Sequence, residues 1–139
     1  MIVLDTNIVS AMMRPDSIPA VLSWLDTQPT ESIWTTTVTL FEIRFGLAVL
    51  PPGKRRTALE LTFERILKEG LEHRVLDFDA AAALVAADLM ADVRASGRGI
   101  ELRDLQIAGI VASRRAMLVT RNTRHFNDAG INLIDPCGA

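Results

Sequence analysis

Short apolar runs alternate with longer stretches of helical periodicity along this chain. Met1–Leu4 is an apolar run closed by Asp5 and predicts a buried strand. Asn7–Met13 predicts a helix that stops before Pro15. Ser17 predicts a cap for a second helix, with Pro19 in its first turn and an end near Asp26. After a loop at Gln28–Glu31, Ile33–Thr36 predicts a second strand. Thr39–Leu50 predicts a helix closed by Pro51-Pro52-Gly53, and Lys54–Glu69 another, with Leu59, Phe63 and Ile66 at helical spacing. Arg74–Phe78 predicts a strand. Ala80–Ala95 predicts a helix with a stripe of Val85, Leu89 and Val93, ended by Gly97. Leu102–Arg115 predicts a last helix, and Ala116–Thr120 and Ile131–Ile134 the last strands. Strands alternating with helices predict an α/β fold, a three-layer α/β/α domain around a central, mainly parallel sheet.

Three acids break this pattern. Asp5 ends the first apolar run, Glu42 interrupts Val38–Leu47, and Asp104 precedes Leu105–Ala112. A carboxylate in apolar surroundings is costly unless its charge is compensated. Each has an ordinary explanation. Asp5 or Thr6 can cap the following helix. Thr39-x-x-Glu42 matches a capping box, and Asp104 suits a first-turn helix dipole. Yet Asp5 belongs beyond the carboxyl end of a strand, where α/β sheets bind ligands. Val38, Phe45, Gly46 and Val49 share the face of Glu42, and Ile107, Ala108 and Val111 share that of Asp104. Both faces are expected to point inward. Three inward acids point to one shared cation. A hard divalent ion takes oxygen ligands, polarises a phosphoryl oxygen and activates water, which suits phosphodiester hydrolysis.

Composition narrows the picture without deciding it. At 139 residues, 49% apolar and 23% charged, the chain is expected to form a single domain over residues 1–139. The net charge of −2 does not advertise nucleic-acid binding, but residues 97–125 carry six arginines against Glu101 and Asp104. In the segment Val119–Phe126, Thr120 and Asn122 offer hydrogen bonds. Arg121 and Arg124 suit phosphates, and Arg103, Arg114 and Arg115 are further candidates. A single cysteine, Cys137, excludes an intrachain disulfide and a thiolate zinc cluster. His73 and His125 lie far in sequence from the acids and are not expected to be ligands. With no membrane span and no leader pattern, the cytoplasm is the expected compartment. Trp24, Leu47, Leu50, Leu61 and Leu67 exceed what one core of this size readily buries and suggest a partner surface.

Four segments, in order, resemble those of PIN-domain nucleases. They are Leu4-Asp5-Thr6-Asn7, Thr39-Leu40-Phe41-Glu42-Ile43-Arg44-Phe45-Gly46, Arg103-Asp104-Leu105-Gln106-Ile107-Ala108 and Thr120-Arg121-Asn122-Thr123-x-x-Phe126. The chain is similar to toxins of the VapC type, near their FitB-like branch, over nearly its whole length. The resemblance implies a Mg²⁺- or Mn²⁺-dependent endoribonuclease, the toxin of a toxin–antitoxin pair. It implies metal ligation by Asp5 and Asp104, with Glu42 completing the acidic cluster and Thr6 and Thr120 orienting carboxylates. It also implies an RNA substrate, a small cognate antitoxin over the groove, and a toxin homodimer. Many family members carry an acid where this chain has Asn122, which adds no negative charge toward a second ion. The rival reading is a PIN-like subunit that binds RNA or protein without cutting. A haloacid-dehalogenase-like phosphatase would need a second acid where Asn7 stands, and no glycine-rich turn supports dinucleotide binding.

Overall fold

The computed structural model describes residues 1–14 and 18–138. Five strands form one sheet: β1 (Ile2–Leu4), β2 (Ile33–Thr36), β3 (Val75–Leu76), β4 (Met117–Val119) and β5 (Asn132–Ile134). Their spatial order is β3-β2-β1-β4-β5, and every pairing is parallel. The helices are α1 (Thr6–Met13), α2 (Pro19–Asp26), α3 (Thr37–Ala48), α4 (Lys54–Arg65), α5 (Ala80–Ala95) and α6 (Leu102–Ser113). The expected cap at Ser17 lies outside the described residues.

Strand alternation divides the core in two. Val3 and Leu118 point to one face, where α5 and α6 contribute Ala82, Ile107, Ile110 and Val111. Leu4 and Val119 point to the other, where α1 to α4 contribute Ile8, Val9, Val21, Ile43 and Phe63. Both faces are covered, as a parallel sheet requires. The α5–α6 contact is close. A Cβ on Gly109 of α6 would lie 2.6 Å from the Ala82 carbonyl oxygen and 2.7 Å from the Ala86 Cβ.

Several boundaries differ from expectation, for local reasons. Helix α3 starts at Thr37 because Thr36, not Thr39, caps it: the Thr36 hydroxyl accepts from the Thr39 amide at 3.1 Å. Glu42 therefore takes no part in a capping box. After Arg65 the fourth helix continues as a wider π turn over Ile66–Gly70, with the Leu71 amide donating to the Ile66 carbonyl. Only Val75 and Leu76 form β3, because only they face partners on β2. Arg115 adopts a left-handed φ of 52°, so α6 ends at Ser113.

The face of α3 that carries Glu42 is not wholly inward. Val38 is buried, but Phe45 and Val49 are exposed, as is Phe41. The buried face is Val38, Thr39, Ile43 and Leu47, and Glu42 stands at its margin. Phe41 and Phe45 stack on each other at the surface, with ring centroids 6.5 Å apart.

Candidate active site

The sheet changes direction at its centre. From β1 the chain runs to β2 and β3 on one side, then returns to β4 and β5 on the other. Such a switch leaves a crevice beyond the carboxyl ends of the two central strands. Asp5 follows β1 there, and Thr120 follows β4.

Asp5 is buried, at 5% exposure. Its Oδ1 accepts from the Thr6 amide at 2.8 Å, so it does cap α1. Its Oδ2 accepts from the Thr120 hydroxyl at 2.8 Å. The fully buried Thr120 is a hub. Its Oγ1 also accepts from the Asn7 side chain at 3.2 Å and from the Asn122 amide at 3.0 Å. Asn7 Oδ1 in turn accepts from the Arg121 amide at 3.1 Å. Residues after β1 and β4 are thereby tied to each other, and one oxygen of Asp5 is held in fixed orientation. Sequence reasoning placed Thr120 beside the acids but assigned nothing to Asn7; its position two residues after Asp5 was the available signal.

Glu42 is held from below. Thr6 Oγ1 donates to Glu42 Oε1 at 2.9 Å. The Thr6 and Thr39 hydroxyl oxygens are 3.1 Å apart. Because Thr6 gives its only hydroxyl proton to the carboxylate, Thr39 donates to Thr6. A third hydroxyl, Thr36, donates to Thr39 at 3.4 Å. Three threonines thus form an ordered line of donors ending on Glu42. The second carboxylate oxygen of Glu42 lies 4.0 Å from Arg103 Nε.

Asp104 enters from the first turn of α6, whose buried face includes Ile107, Ala108 and Val111. The expectation of an inward face holds there. His125 Nδ1 lies 3.3 Å from Asp104 Oδ2. The distance in sequence between His125 and the acids is therefore not kept in space. Sequence distance hid it, because the turn after β4 folds back over the start of α6.

Asp5, Thr6, Asn7, Glu42, Asp104 and His125 line one open cleft of about 640 Å³ with Asn122, Arg124, Glu101 and Asp128. Arg121 is exposed and meets the site through its backbone. Arg114 is committed elsewhere, paired with Asp79 at 2.9 Å. A second groove continues from Thr6, Ser10 and Glu42 toward Phe45, Leu47, Leu50 and Leu59.

Among the described residues, no three Asp, Glu, His or Cys side chains already form a cage for a metal ion. The donors on offer are mainly hard carboxylate oxygens, from Asp5 and Asp104 with Glu42 nearby. That set fits an ion that takes one or two carboxylates and keeps its waters.

A PIN-domain family model matches residues 2–132. The chain belongs to the PIN-domain family. Within it, the chain is of the VapC type. It is 41% identical to "VapC ribonuclease Y4jK" of Sinorhizobium fredii, over 98% of this chain and 97% of that protein. It is 30% identical to "Toxin FitB" of Neisseria gonorrhoeae, over 98% of each chain. A solved structure of FitAB bound to a DNA fragment superposes with a TM-score of 0.91 at 29% identity, covering 100% of this chain and 97% of that one. The three-layer α/β/α expectation therefore stands.

Charge accumulates in this PIN domain's cleft. Burial pushes the Asp5 carboxyl above its ordinary value, against the hydrogen bonds from Thr120 and Thr6. Burial, and then the charge of Asp5, push Asp104 up to about 6. In ion-free protein the folded state holds these protons to higher pH than the unfolded chain does. For Asp104 the contribution to stability is therefore greatest below the unfolded carboxylate range, about 4, and is lost as pH rises through about 6. The difference in melting temperature between Asp104→Asn and the parent, in chelator, should grow across that window and level off above it. A difference that is flat with pH contradicts the coupling.

Proposed function

We propose that this PIN domain is a divalent-metal-dependent endoribonuclease and the toxin of a toxin–antitoxin pair. The observation that carries the reading is the meeting of Asp5 and Asp104 in one cleft at the switch point of the sheet. The likeness to a VapC ribonuclease and to a FitB toxin supports the activity and the biological role.

Asp5 and Asp104 would hold a Mg²⁺ or Mn²⁺ ion, with water filling the remaining positions. When bound, the ion polarises a phosphodiester oxygen and lowers the pKa of water. The rest is done by the protein. Thr120 and Asn7 keep Asp5 in one rotamer, as outer partners of ligands do. Glu42, fixed by the Thr6 hydroxyl, accepts a hydrogen bond from the attacking water and orients it. Asn122 holds water or substrate without adding negative charge. Arg124, on the cleft wall, meets an RNA phosphate.

The restraint on such an activity is a cognate antitoxin. The groove that runs from Glu42 past Phe45 to Leu59 offers it an apolar path into the site. Exposed Phe41, Phe45, Val49 and Leu61 supply apolar surface for the antitoxin and for a second toxin copy. No described helix is long and apolar enough to cross a membrane.

The test is cleavage of RNA by purified protein in Mg²⁺ or Mn²⁺, with a chelator control and with the product of the neighbouring gene added. Metal-dependent cleavage, suppressed by that product, is expected. RNA binding without cleavage in either ion favours the non-cutting reading, which the neutral Asn122 keeps open.

Arginine roles separate by salt. Arg124→Gln should weaken RNA binding and lower the slope of log affinity against log salt by about 0.7, the value for one phosphate contact on a single strand. Arg121→Gln should change the slope less, because only its backbone is tied to the site. Equal slopes for parent and Arg124→Gln contradict this assignment.

A further inference from the structure

We propose that His125 supplies a nitrogen donor to the cation site and biases it toward a first-row transition ion, such as Mn²⁺, over Mg²⁺. This rests on the reading of Asp5 and Asp104 as ligands and sharpens it.

The placement of His125 is built in. It ends the short turn Thr123–His125 after β4, closed by the His125 amide on the Asn122 carbonyl at 3.0 Å. The next residue, Phe126, is 1% exposed and anchors the turn in the core. The imidazole is thereby presented to the cleft opposite α6, and Nδ1 stands 3.3 Å from Asp104 Oδ2. Two neighbouring donors on an octahedral ion at about 2.1 Å lie about 3 Å apart. The pair therefore has nearly the span of an N,O bite before any ion arrives. The ring is largely open to solvent, so it can turn by a few tenths of an ångström without disturbing the core.

The donor type decides the preference. Mg²⁺ takes oxygen and gives up its waters reluctantly. First-row transition ions accept imidazole more readily than Mg²⁺ does, Mn²⁺ the least strongly among them. A wholly carboxylate site treats Mg²⁺ and Mn²⁺ more alike than one with a nitrogen ligand.

The experiment is calorimetric titration of ion-free protein with Mn²⁺ and with Mg²⁺, together with pulsed electron paramagnetic resonance of the Mn²⁺ complex. The parent should show nitrogen hyperfine coupling to Mn²⁺. His125→Ala should lose that coupling and weaken Mn²⁺ binding at least about tenfold, with Mg²⁺ affinity nearly unchanged. His125→Asp, an all-oxygen variant, should also lose the coupling and shift the preference toward Mg²⁺. Mn²⁺ bound by the parent without nitrogen coupling overturns the role of His125 alone. So does an equal loss of both ions in His125→Ala. If the parent binds neither ion, or if Asp5→Asn and Asp104→Asn bind as well as the parent, the cation site itself is wrong and this inference falls with it.

Discussion

Asp104→Asn is expected to lower RNA cleavage at least about a hundredfold, beyond the usual cost of losing an outer partner of a metal ligand. The fold should survive the change. Asp104 is pushed up to about 6 by burial and by the charge of Asp5. Its ionised form is therefore disfavoured in the ion-free fold, and a neutral side chain of the same size relieves that strain. The variant should thus melt no lower than the parent in chelator at neutral pH, and it should lose the rise in melting temperature that Mn²⁺ or Mg²⁺ gives the parent. Unfolding cannot mimic that combination. Asp5→Asn is a harsher test, because Asp5 Oδ2 also accepts from the buried Thr120 hydroxyl. Cleavage by Asp104→Asn at the parent rate would remove the basis for the proposed chemistry.

Gly109→Ala should destabilise the domain by about 1–3 kcal/mol, the usual cost of forcing a methyl group into a packed interface. In an isolated helix the same change stabilises by about 1 kcal/mol. Here the added carbon would stand 2.6 Å from a backbone oxygen of α5, which no rotamer change can relieve. Helices α5 and α6 must part. Because α6 carries Asp104, the cleft should loosen with them. Thermal melting should show a fall of at least about 3 °C. A melting temperature equal to or above the parent's would mean that the α5–α6 contact yields freely.

The sequence carried the element order, the parallel α/β class and the meeting of Asp5, Glu42, Asp104 and Asn122. It did so where local pattern and tertiary role agree. Ala80–Ala95 was readable end to end because its buried face, Ala82, Ala86 and Val93, keeps helical spacing and Asp79 caps it, the Asp79 carboxylate accepting from the Ala82 amide at 2.9 Å. Where two local solutions compete, the sequence is ambiguous. Thr36 and Thr39 are both good caps, and only the end of β2 selects Thr36. The exposure of Phe45 and Val49 was not readable, since helical spacing gives a shared face but not which way it turns. Glu42 proved to sit at the edge of the buried face, supported by hydroxyls and not by a core. Leu61 is exposed as the apolar surplus suggested, whereas Leu47 is buried. His125 required the fold itself, because its neighbour Asp104 lies on a different element.

The bond from Thr120 to Asp5 spans 115 positions of the chain. Strand β1 leaves the ribosome before β4, yet it can be flanked on both sides only after β4 has emerged. Until then Asp5 lacks the hydroxyl that orients it, and Asp104 has no settled place opposite. A chain that has not yet made β4 therefore lacks the assembled cleft. A cleft whose two sides lie 115 positions apart stays unassembled until both have been synthesised, so the proposed activity can appear only after both are folded together.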